Sequence, residues 1–183
     1  MKRIHSPIPL AAALLWTLAP AYGAPKARNE SPAASAEATF EQIDDWASAV
    51  SDAAFHLNDM ALRQDDSDAH LYGLEVVRGD INRIGRDLAV LEAERDSLTE
   101  CEVKALDLVL PLMREAAADA QNAIALFNSG RSHLWATKYV ADTAGISKDA
   151  HQAAEILHDS LQLQRTQEKV SQMEHDLGEP SQR

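Results

Sequence analysis

Hydrophobic positions along this chain recur at alternating spacings of three and four, most regularly in Val103, Leu106, Leu110, Met113, Ala117, Ala120, Ile124 and Phe127. That spacing marks one apolar face of a long α-helix. Phe40, Ile43, Ala47, Val50, Ala54, Leu57 and Ala61 form a second seam, widened by Trp46, Ala53 and Met60, with Asp45, Asp52 and Asp59 directly opposite. Leu74, Val77, Ile81, Ile84, Leu88 and Leu91 form a third, and Val140, Thr143, Ser147, Ala150, Ala154, Leu157 and Leu161 a fourth. Four amphipathic helices of similar length joined by short connections predict an all-α fold, an antiparallel up-down four-helix bundle. The expected helices span about 40–63, 68–97, 100–128 and 137–176, and Leu110, Ile81, Val50 and Leu157 should meet in one core.

Punctuation along the chain supports these limits. Thr39 with Gln42, Ser97 with Glu100 and Thr99 with Glu102 have capping-box spacing, in which paired side chains satisfy the free amides of a helix start. Pro111 lies inside the third helix, removes its bond to the Asp107 carbonyl and predicts a kink. Gly130 is the expected break before the fourth helix, with His133, Leu134 and Trp135 placed as a cap over the bundle end. The competing break, near Gly145, would make the third helix far longer than its neighbours. Gly73, Gly79 and Gly85 fall six apart and therefore on different faces of the second helix, which excludes a glycine packing motif. Past Leu161 the apolar positions change register to Ile156, Leu163, Val170, Met173 and Leu177, so this end should overhang the bundle.

Composition agrees with helices. Of 183 residues, 45% are hydrophobic but only 5% aromatic, which is poor material for strands. The N-terminus bears on location, since Met1-Lys2-Arg3, an apolar run from Ile8 to Ala19 and the small residues Ala21 and Gly23 read as a cleaved secretory signal at 1–23. That run falls short of the roughly 20 residues needed to span a bilayer. Residues 24–38 read as a disordered linker and 178–183 as a disordered tail. The protein should therefore be periplasmic or secreted, with no membrane segment after cleavage.

Formal charge is −12, and becomes −14 without Lys2 and Arg3. A chain so acidic is a poor partner for nucleic acid or anionic lipid, both of which are bound by neutralising phosphates. The lone Cys101 permits no internal disulfide, so the core alone must hold the fold. It reads as a half-buried small apolar residue near a helix start.

Candidate chemistry is sparse. Met60, His70 and His133 are expected at one bundle end and form the one ligand set that suits copper or non-covalent haem. Asp65, Asp66 and Asp68 resemble the start of a calcium loop, but His70 and Val76 stand where its glycine and closing glutamate belong. One Glu-x-x-His pair, Glu155 with His158, lacks the second pair of a di-iron bundle, and His151 and His158 are expected to titrate near neutrality. Leu98 to Glu102 is similar to the Leu-Thr-x-x-Gln motif of small periplasmic stress chaperones, with Glu102 in place of glutamine. Capping explains all five residues, and nothing is carried over from the resemblance.

No Gly-x-Ser-x-Gly or other nucleophile signature occurs, so a non-enzymatic role without cofactor is expected. The remaining signal is apolar surface. Leu108, Leu112, Ile156, Leu163 and Val170 lie off the four seams and are expected to engage a second copy or a protein partner. A small-molecule, metal or haem binder is the competing expectation.

Overall fold

The computed structural model describes residues 32–63, 67–130 and 134–178. They form α1 (Pro32–Arg63), α2 (Ser67–Ala93), a 3-10 turn (Arg95–Ser97), α3 (Glu100–Ser129) and α4 (Thr137–Gly178). Each helix packs on the next in the chain, and α4 closes the ring against α1. The protein is thus an all-α four-helix bundle with antiparallel contacts, and Val50, Ile81, Leu110 and Leu157 are all buried in its one core.

Interhelical register follows from polar contacts at the α1/α4 boundary. The Ser51 hydroxyl donates to the Ser147 carbonyl at 3.0 Å, and the Asn58 amide donates to the Val140 carbonyl at 2.7 Å and the Thr143 hydroxyl at 3.0 Å. Toward the other end Arg165 of α4 pairs with Glu37 at 3.1 Å and with Glu41. Residue numbers rise along α1 as they fall along α4, which is the antiparallel arrangement.

Several details differ from expectation, each for a physical reason. α1 begins at Pro32, inside the stretch 24–38 read as a linker, so the Thr39/Gln42 pair lies inside the helix and not at its start. Proline suits the first turn of a helix, the alanines that follow are strong helix formers, and Ala36 is buried. The last turn of the expected second helix is instead 3-10, where Arg95 bonds both oxygens of Asp107 at 2.7 Å and ties the connection to α3. Of the two overlapping capping boxes at the next start, Thr99/Glu102 forms: Thr99 N–H donates to Glu102 at 2.7 Å and Glu102 N–H donates to the Thr99 hydroxyl at 3.3 Å.

The buried stripes of α3 and α4 are also turned from their expected positions. On α3, Val103, Ala117, Ile124 and Phe127 are only half-buried, while Ala105, Val109, Ala116 and Ala123 are buried. The α3/α4 contact is much larger than α2/α3, and a row of alanines lets the two backbones approach, so α3 presents that flank to α4. On α4, Tyr139, Ile146 and Ala153 join the core beside the expected Ala150, Ala154, Leu157 and Leu161. α3 runs as one helix through Pro111 and ends at Gly130, whose φ of 142° and ψ of 156° lie in a region open essentially to glycine alone. The break thus falls at Gly130, and Gly145 is internal to α4.

Candidate functional site

Three places gather side chains with chemical potential, and the first is the bundle end around His70. Its ring is fully buried, Nδ1 lies 2.9 Å from the Tyr139 hydroxyl, and Trp135 meets it edge-on at a centroid distance of 5.7 Å. Tyr139, also fully buried, has its phenol pKa pushed upward by burial and stays neutral. Leu134 is buried beneath this cluster's helix start, so the segment before α4 does cover the core. His133 of the expected Met60/His70/His133 set lies outside the described residues, and Met60 is half-buried against the core. Tyr139 was missed because its hydroxyl partner lies 69 residues away on another helix.

The second place is an open groove of about 370 Å³ between α1 and α4, lined by Asp44, Ser48, His151, Ala154, Glu155, His158 and Asp159. His158 Nδ1 is 3.7 Å from Asp44, and His151 Nε2 is 3.5 Å from Glu155. Burial raises the Asp44 pKa, and the His158 ring opposes that rise. His151 and His158 thus stand in the middle of α4, on its flank toward α1. The i, i+4, i+7 spacing of His151, Glu155 and His158 is visible in the sequence, whereas Asp44 joins them only through the α1/α4 register. Among the described residues, no three His, Cys, Asp or Glu side chains are arranged to hold a metal ion.

Third, an apolar line follows the α3/α4 boundary. Cys101 is half-buried, with Sγ 3.3 Å from the Ser160 hydroxyl, and this contact fixes the local register. Leu108 lies two turns after Cys101 on the same side of α3, while Ile156, Leu163 and Val170 repeat every seven residues down the same side of α4. Leu108 is 56% exposed, Leu163 50% and Val170 44%, whereas Ile156 and Leu112 are half-buried against the core. The expected patch therefore divides into a supported inner part and an uncovered outer part. Farther along, Met173 is 55% and Leu177 88% exposed.

An acidic row also lies on the α3/α4 side, with the buried Asp142 and Asp149 of α4 near the half-buried Asp119 of α3. Asp142 Oδ1 accepts from Lys138 at 2.6 Å. Burial first, and then Asp142, raise the Asp119 pKa, while Asp149 is raised by burial with Lys148 opposing. Among the described residues no helix is long and apolar enough to cross a membrane. No family model, curated protein or solved structure matches the chain.

Proposed function

We propose that the protein is an exported, non-enzymatic helical-bundle module that acts by binding another protein chain. The observation that carries this reading is the uncovered apolar line of Leu108, Leu163 and Val170, extended by Met173 and Leu177. Scattered exposed leucines are ordinary, but large side chains in line along one boundary are costly to leave in water and mark an interaction surface. Export, to the periplasm or beyond, rests on the Lys2-Arg3 start, the apolar run and the Ala21/Gly23 pair. A net charge of −14 after cleavage favours solubility and disfavours nucleic acid and anionic lipid as the partner.

The test is the mass of the chain purified from its native compartment under mild conditions. A species heavier than one chain, reduced to one chain by Leu108→Glu combined with Leu163→Glu, is expected. A single-chain mass in the native extract would overturn the reading.

A further inference from the structure

α4 outlasts the bundle. From Thr166 to Leu177, just beyond the Arg165 contacts with Glu37 and Glu41, every side chain is exposed although the backbone remains helical. Within and just before this overhang Leu163, Thr166, Val170, Met173 and Leu177 recur at alternating spacings of three and four. We infer that this seam is one strand of a parallel two-stranded coiled coil, whose other strand is α4 of a second copy of this chain. The inference rests on the interaction reading above and specifies its partner.

Side-chain chemistry favours that occupant. In a parallel pair Leu163, Val170 and Leu177 take the a positions and Thr166 and Met173 the d positions, with β-branched Val170 at an a position suiting two strands. Lys169 of each copy then stands at g opposite Glu174 of the other at e, giving two attractive pairs, while Gln162 faces Gln167 without charge. Every a residue meets its own kind. Antiparallel pairing loses a layer, since centring it on Val170 and Met173 sets Leu163 beyond the end of the partner α4 at Gly178, and shifting it by one layer sets Leu177 against Asp159. Asp159, at the preceding d position, ends the seam, which leaves a zipper of about 21 Å at 1.5 Å rise per residue.

So short a coil would be marginal as a free peptide, because helix nucleation is costly. Here the bundle has already nucleated the helix, and association needs only to cover side chains. The chain's own upstream segment is a poor competitor, since Ala24 to Ser31 contains no Leu, Ile, Val, Met or aromatic residue.

The experiment takes the mature full chain carrying Cys101→Ser and measures its mass by sedimentation equilibrium across a concentration series. The expected result is a mass rising to that of two chains, returned to one chain by Val170→Glu with Met173→Glu, while at dilutions where the parent is also single the two unfold at the same temperature. Adding Leu163→Cys to the Cys101→Ser chain should give a disulfide-linked dimer on oxidation, because only parallel strands bring these residues together. A single-chain mass throughout, a dimer that survives the double glutamate variant, or a dimer that Leu163→Cys does not link would each overturn the inference. If the isolated chain stays single while the native extract still holds a heavier species, the self-pairing fails and the interaction reading stands. If both are single, both fail.

Discussion

Asp119 of α3 lays its carboxylate over the bare backbone of Gly145 in α4, in the space that a β-carbon would fill. The absent side chain lets a partly buried acid sit between two helices, near Asp142 and the Lys138 that pairs with it. A glycine that costs helix propensity is therefore matched by a polar neighbour that occupies its vacancy.

Gly145→Ala should change stability little, by under about 0.5 kcal/mol, because a propensity gain of up to about 1 kcal/mol is offset by displacing Asp119. In an Asp119→Ala background the same substitution should yield most of that gain. Chemical denaturation of the four proteins in this cycle measures the difference, and additive effects would refute the contact.

Stability should decline as pH rises through the carboxylate range. Asp119, Asp44, Asp87 and Asp149 all have pKa values raised above 3.8 by burial, so in that window the folded chain holds protons that the unfolded chain has released. Folding is then favoured on the acid side and loses ground until these groups have ionised. Asp119→Asn should flatten the decline and raise the neutral-pH Tm by about 1–2 °C, from a solvent-screened gain of about 0.5 kcal/mol. A wild-type Tm that climbs between pH 4 and pH 6 would contradict this sign.

Two glycines of α2 should respond oppositely to alanine. A Cβ at Gly73 would meet Leu57 Cδ2 at 2.8 Å and Cγ at 3.0 Å, and Leu57 is fully buried, so Gly73→Ala should destabilise by about 1–3 kcal/mol. At Gly79 nothing lies within 4 Å, and Gly79→Ala should stabilise by about 0.5–1 kcal/mol. Midpoints of urea unfolding compare the two directly.

Tyr139→Phe removes the hydroxyl at 2.9 Å from His70 Nδ1 inside a fully buried site. The cost should be about 1–3 kcal/mol, the usual range when one partner of a buried hydrogen bond is deleted. Equal unfolding midpoints for the variant and the parent would show that the pair is not holding this end of the bundle.

Helices, their order and most core positions were legible because a three-four rhythm survives any detail of packing. The α2 seam is buried from Leu74 to Leu91 as read, and Gly130 ends α3 as its φ requirement predicts. The α3 and α4 stripes were misplaced by about one position because the sequence does not say that α3 favours α4 over α2. Alanines caused most of the error, since Ala105, Ala116 and Ala123 carry too little hydrophobic signal to mark a face. Pairings such as His70 with Tyr139 and Asp44 with His158 depend on register between helices, which no single helix encodes. The beginning of α1 was lost for a related reason, as Ala36 is buried in the shared core and Glu37 is held by Arg165 of α4, neither of which local composition shows.

With 42 residues α4 measures about 63 Å, against about 40 Å for the 27 of α2. The molecule is consequently a rod with a handle. The twelve exposed residues from Thr166 to Leu177 make that handle a lever about 18 Å long, on which any load at the tip would act.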